Sequence, residues 1–171
     1  MRVRLGLDGE APGIRDLETA ADKRFLAIGM DSVASREPPS LGFLELAISE
    51  ERLWIAEVDD NEQAGYAVAV FVDESPHLQV VAVHPSHQGR GIGRALVNEV
   101  AEWARRRAAD RLTITTFRDV SWNRPLYERL GFEVIDDSEL SPGLRAIRDE
   151  EISIGLDDEG PRVTMFLKLN A

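Results

Sequence analysis

Apolar residues recur along the chain with two different periods, and the switches between them outline the elements. Arg2–Leu7 alternates as a short strand. From Pro12 to Ile28 the period is helical, with Ile14, Leu17, Ala21, Phe25 and Ile28 on one face and Gly29 as a stop. Pro38-Pro39 breaks the chain, and Ser40 can cap a second helix carrying Leu41, Leu44, Ala47 and Ile48. Leu53–Val58 and Ala64–Val72 are rich in strand formers. The turn chemistry of Asp59-Asp60-Asn61-Glu62 between them predicts a hairpin. Leu78–Val83 is a continuous apolar run, which predicts a central strand ended by His84-Pro85-Ser86-His87. Gly91–Arg107 reads as a long helix with Leu96, Val97, Val100 and Ala104 inward, followed by a strand at Leu112–Thr116. Asn123–Leu130 is a short helix with Pro125 in its first turn and Gly131 after its end. Phe132–Ile135 and Arg162–Leu169 are the last strands. In the acidic stretch between them, Ser141-Pro142 can start a helix with Leu144 and Ile147 inward. The order is mixed α/β, hairpin strands first and a strand–helix–strand unit after.

Length and composition narrow the classes. A chain of 171 residues suits one domain, taken as 1–171. The absence of cysteine excludes disulfides, thiolate catalysis and cysteine–zinc sites. No apolar run reaches the roughly 18 residues of a membrane span, and Met1–Asp8 has no signal-peptide core, so a cytoplasmic location without membrane attachment is expected. A net charge of −11 repels phosphate backbones, which argues against nucleic acid, and gathers cations, which favours a cationic partner. Solubility is the plainer reading of the same charge.

The segment with the most chemistry is Gln88-Gly89-Arg90-Gly91-Ile92-Gly93-Arg94, between an apolar strand and a long amphipathic helix. Three glycines let backbone approach a ligand closely. The first amides of a helix lack intrahelical acceptors and lie at the positive end of its dipole, a setting that binds phosphate. Arg90 and Arg94 add positive charge. The nucleotide-triphosphate loop needs Gly-Lys-Ser/Thr, but Arg94-Ala95 follow Gly93; the dinucleotide fingerprint lacks its third glycine, since Arg94 and Leu96 hold the two positions for it.

The loop resembles the coenzyme A loop of the GNAT superfamily of acyltransferases, Gln/Arg-x-x-Gly-x-Gly/Ala. Tyr127-Glu128-Arg129-Leu130-Gly131-Phe132 is similar to that family's Tyr-x-x-Leu-Gly-Phe segment, and the order of elements fits from Arg2 to Leu169. The resemblance implies an α/β GNAT fold: a mixed, twisted central sheet flanked by helices, whose fourth and fifth strands splay apart to admit the pantetheine arm of acetyl-CoA. It also implies that backbone amides of Val81, Ala82 and Val83 meet the cofactor, with Val83 nearest the thioester carbonyl. Relatives are often dimers, which leaves a homodimer open.

Acetyl transfer to an amine needs a base, an oxyanion donor and an acid for the leaving thiolate. Tyr127 is the candidate acid, because a phenol is protonated at neutral pH. The run His77-Leu78-Gln79-Val80-Val81-Ala82-Val83-His84 resembles the matching strand of the arylalkylamine N-acetyltransferases, with Gln79 where those enzymes carry a second histidine. His77 is therefore a candidate base or a strand-edge histidine, with Glu74 in reserve. Asn123 stands closer to the tyrosine than the family's cofactor-contacting asparagine, and cofactor contact and an N-cap both stay open for it. Trp122 is a candidate for the acceptor pocket or the core. His77, His84 and His87 lack a helical or carboxylate pattern, so no metal is expected. Three functions follow: acetylation of a small-molecule amine, acetylation of a protein N-terminus or lysine, or non-catalytic acyl-CoA binding. Retention of Tyr127 argues against the last.

Overall fold

The computed structural model describes residues 1–169. Seven strands follow one another in space as β1-β2-β3-β4-β5-β7-β6. The chain divides into two compact units, residues 1–70 with 79–100 and residues 71–78 with 101–169. Three elements, β3 (Gln63–Val72), β4 (Ser75–Val83) and α4 (Ile92–Arg106), run from one unit into the other.

In the first unit β1 (Arg2–Leu5) pairs antiparallel with β2 (Leu53–Glu57), which pairs antiparallel with β3. The hairpin expected from Asp59–Glu62 is therefore present, with a register shift at Ala56/Glu57. Three helices accompany these strands: α1 (Ala11–Asp22), α2 (Asp31–Ala34) and α3 (Leu41–Ser49). Ile14, Leu17 and Ala21 of α1 meet Leu44, Ala47 and Ile48 of α3 over Leu53, Ile55, Tyr66 and Val68 of the sheet. The Ser40 hydroxyl accepts from the Phe43 amide, the N-cap that its residue type suggests. Gly65 is a close approach, since a Cβ there would stand 2.8 Å from the Ala82 carbonyl oxygen and 3.1 Å from Ile92. The absent side chain lets α4 settle on the sheet.

Two readings change here. The helix expected over Pro12–Ile28 tightens into a 3₁₀ segment at Lys23–Ile28 before Gly29 ends it. Three residues per turn rotate the apolar stripe, so Phe25 stays buried while Ile28 is 46% exposed. Residues Asp31–Ala34, where the pattern predicted no element, form the short α2.

In the second unit β5 (Arg111–Phe117) pairs antiparallel with β7 (Arg162–Lys168), and β7 with β6 (Glu133–Ile135). Three helices lie here: α5 (Arg124–Arg129), α6 (Pro142–Ser153) and α7 (Leu156–Glu159). The α6 helix starts where Ser141-Pro142 suggested, with the Ser141 hydroxyl accepting from Leu144. β4 begins at Ser75, three residues earlier than its apolar run. Asp73 and Glu74 make the β3–β4 turn, both with positive φ (49° and 64°). The Asp73 carboxylate accepts the Gly143 amide at 2.8 Å and so ties this turn to the start of α6. The parallel register of β4 with β5 consists of His77↔Thr113. Beyond it the apolar run is less buried than a central strand implies: Gln79 is exposed, and Val80, Val81 and Val83 are half-buried. Among the described residues no helix is long and apolar enough to cross a membrane.

Candidate active site

The glycine loop lies wholly in the first unit. After β4 the chain turns through a 3₁₀ step at Pro85–His87 and enters α4 at Ile92. Gly89 and Gly91 have φ of 77° and 79°, where a side chain would be strained, and neither has an atom within 4 Å of the place a Cβ would take. The backbone is thus turned outward next to open space. Ile92, Gly93 and Arg94 form the first turn of α4, whose amides have no intrahelical acceptors. Arg90 and Arg94 are exposed beside them. The loop is anchored below, where Gln88 donates from Nε2 to the Val83 carbonyl at 3.4 Å and the His84 amide donates to Ala64 at 2.9 Å. His87 is buried, with Nε2 3.0 Å from Glu62 Oε1 and Nδ1 3.3 Å from Arg90 Nη1. Gln88–Arg94 and Val81–Val83 are thereby one continuous piece of backbone.

A pocket of about 370 Å³ opens in the same unit between α1, the segment before α3, and β4. Glu18 and Asp22 come from α1, Arg36 and Glu37 from the segment, Phe43 from α3, and Gln79 and Val80 from β4. Glu18 Oε2 is shielded from solvent and has no hydrogen-bond partner. Burial pushes the Glu18 pKa up to about 7; the Asp22 charge adds to this, and the Tyr66 phenol opposes it. The Tyr66 hydroxyl is a neighbour of the carboxyl group, although neither it nor Glu18 Oε2 completes a hydrogen bond. Burial raises Asp22 to about 6, against the pull of Arg36. Sequence analysis gave Glu18 and Asp22 no role. Their signal was two carboxylates four residues apart on a helix, a repulsive spacing, flanking the apolar stripe of Leu17 and Ala21.

The second unit holds the other candidates. Tyr127 is buried on α5, its ring edge-on to Phe132 at 5.5 Å between centroids. Burial raises its pKa above the ordinary phenol value, although Arg162 pulls the other way, so the hydroxyl keeps its proton at neutral pH. Asn123 occupies the N-cap position of α5 through its backbone: its carbonyl accepts the Leu126 and Tyr127 amides at 2.8 and 3.2 Å. Its side chain makes no capping bond. Trp122 is half-buried just before it. His77 is only 2% exposed, and its Nδ1 is 2.8 Å from Thr113 Oγ1. Burial lowers its pKa to about 4 despite the nearby Glu151 carboxylate. Glu74 sits exposed in the β3–β4 turn. Among the described residues no group of three or more His, Asp or Glu side chains could hold a metal ion.

Comparison with known proteins agrees with this layout. The description "Acetyltransferase (GNAT) family" matches residues 17–132. Streptothricin acetyltransferase of Streptomyces lavendulae is 32% identical over 89 residues, 49% of this chain and 46% of that protein. The chain thus spans about half the length of this relative. Rv2747 of Mycobacterium tuberculosis, solved with CoA, superposes with a TM-score of 0.72 at 22% identity, over 99% of this chain and all of that one. The PaiA N-acetyltransferase of Thermoplasma acidophilum, also solved with CoA, gives 0.73 at 16% identity over 98% of both chains. The matched stretch covers more than half of the chain, and the chain belongs to the GNAT acetyltransferase family.

Proposed function

We propose that this protein transfers the acetyl group of acetyl-CoA to a primary amine of a small molecule by direct attack. The observation that carries the reading is the Gln88–Arg94 loop, with its outward-turned glycines at the start of α4. Its free amides, together with Arg90 and Arg94, suit the pyrophosphate of CoA. The family match runs through both units, which supports reading residues 1–171 as one N-acetyltransferase domain. A relative acting on streptothricin supports a small-molecule acceptor over a protein N-terminus or lysine.

Bound acetyl-CoA supplies a thioester whose carbonyl carbon accepts the amine and whose sulfur leaves. Backbone amides of Val81–Val83, in the half of β4 outside the β5 register, are suited to donate to the carbonyl oxygen as it gains charge. The side chain of Asn123, unused by the helix cap, is available to the cofactor. Tyr127 carries a proton and gives it to the departing thiolate. His77 suits the base role poorly: an imidazole whose basicity has fallen to about 4 holds little of an ammonium proton near neutrality. Its bond to Thr113 fits a neutral ring that fixes the β4–β5 pairing.

Gly91→Asp tests the reading. It adds a side chain at φ 79° and a negative charge beside the expected phosphates. Acetyl-CoA affinity by calorimetry should fall by about ten-fold or more in a variant that stays folded. Unchanged affinity would remove the loop from cofactor binding.

A further inference from the structure

With His77 set aside, the amine needs another group to take its proton. The Glu18 pocket has what that step requires. A free alkylammonium at neutral pH is both a cation to be recognised and an acid to be neutralised. Recognition calls for a carboxylate with no cation of its own, further negative charge nearby and an apolar wall for the carbon stem. The pocket offers Glu18 and Asp22 on one helical face, with Phe43 and Val80 beside them.

Glu18 is the unusual member. Glu18 lines the pocket, and its Oε2 is shielded from solvent with no donor beside it but the Tyr66 phenol, a costly arrangement that a ligand would complete. The polar and charged groups around it are Asp22 from α1, Arg36 and Glu37 from the segment before α3, Tyr66 from β3 and the neutral Gln79 from β4, while α3 contributes the apolar Phe43. Arg36 acts on Asp22, and no cation pairs with Glu18. Val80 joins the pocket directly to Val81–Val83, the backbone assigned above to the thioester carbonyl. Gln79 lies in the pocket as well.

We infer that the Glu18–Asp22 pocket seats the ammonium group of a primary alkylamine acceptor, and that the Glu18 carboxylate takes its proton. The seat stands on the pocket alone; the proton step rests on the acetyl-transfer reading. The ammonium N–H proton passes to Glu18, leaving a neutral amine. Its lone pair forms the C–N bond, and the C–S bond then breaks with its electron pair on sulfur. Tyr127 protonates the thiolate and regains a proton from the new amide nitrogen. Glu18 returns its proton to water, so one proton is released per turnover. An ionised fraction of Glu18 is present at neutral pH, with its pKa at about 7.

Titration of the full chain with n-butylammonium, followed by amide chemical shifts, tests the seat, with n-butanol as the neutral control. Near pH 8 the cation should shift Glu18, Gln79 and Val80 saturably, and butanol should not. Binding should weaken at least about ten-fold in Glu18→Gln, and again in the wild type near pH 5.5, where both carboxyls are protonated. Asp22→Asn should weaken it less. Equal binding of butanol, unchanged binding by Glu18→Gln, or no cation binding would each overturn the seat. For the proton step, Glu18→Gln should lower kcat by about a hundred-fold or more with the best amine and abolish an acidic limb near pH 7, while keeping acetyl-CoA affinity. Wild-type turnover by Glu18→Gln would overturn the proton step and leave acetyl transfer standing. Cation binding at Glu18 with no amine acetylated would overturn acetyl transfer and the proton step together, and leave the seat.

Discussion

Two carboxylate clusters in this molecule share a composition and differ in what surrounds them. In the second unit Glu151 of α6 is held by Arg162 at 2.7 Å, by the Thr115 hydroxyl at 2.6 Å and by Arg148, which in turn grips Asp157. Burial alone would raise the Glu151 pKa, but Arg162, Thr115 and Arg148 outweigh it and the acid stays ionised. In the first unit Glu18 is half-buried, its Oε2 shielded from solvent with no such cation, and desolvation wins. Burial is the larger cause at both sites, so the partners decide the outcome. A carboxylate with its partners built in holds the fold together. One whose partners are missing is ready for a partner from outside, at some cost in stability.

The paired side should respond most strongly. Arg162→Met leaves the Glu151 charge buried with less than its full complement and also removes the stacking of the guanidinium on Phe117 at 4.5 Å. Unfolding in urea should show a loss of about 3 kcal/mol. A change within error would mean that this network carries little of the second unit's stability.

Tyr127→Phe sharpens the contrast from the catalytic side, since it removes a proton rather than a charge. The ring keeps its contact with Phe132, so stability should hold, while turnover should fall by about 10²–10⁴-fold at unchanged acetyl-CoA affinity. A variant turning over like the wild type would take the tyrosine out of the mechanism.

His77 predicts acid sensitivity. Its folded pKa of about 4 lies below the ordinary 6.5, so between these values the unfolded chain binds a proton that the folded one refuses. Stability therefore falls as pH drops from 6.5 toward 4, by up to about 3 kcal/mol from this residue. His77→Gln should flatten that slope in denaturant midpoints measured across the window. An unchanged slope would show that the ring is solvated when folded.

Glu18 has the opposite sign and the smallest expected effect. Its folded pKa is raised, so between 4.5 and about 7 the folded chain keeps a proton that the unfolded chain loses. Stability falls as pH rises through that window and stays reduced above it. Glu18→Gln should stabilise the protein by about 1–3 kcal/mol near pH 8, and the gain should vanish near pH 4.5. A destabilised variant near pH 8 would show that Glu18 has an internal partner after all.

The contrast also explains what could be read from the sequence. The glycine loop was legible because its chemistry is local: glycines, helix start and arginines are neighbours in the chain. The α6 helix was legible from Ser141-Pro142 for the same reason. The start of β4 was hidden, because Pro76 interrupts the apolar run and the Asp73-Glu74 turn adopts positive φ without the glycine or asparagine that marks such turns. The short α2 carries too few residues to show a period. The Glu18 pocket was hidden for a different reason. On a helical wheel Glu18 falls beside the apolar stripe and reads as solvent-facing. Residues distant in sequence, such as Phe43, Gln79, Val80 and Tyr66, make its surroundings. His77 shows the converse: its type and position suggested a base, and its burial against Thr113 lowers the basicity that role needs.

The central claim is amine acetylation, and thiol release measured with acetyl-CoA across matched acceptors tests it most directly. Primary alkylammonium compounds should give saturable, amine-dependent release with formation of the N-acetyl product. They should outcompete neutral or anionic amines at low salt, and the advantage should shrink as salt screens the field. Release that is independent of every amine and peptide offered, or confined to anionic acceptors, would contradict the account.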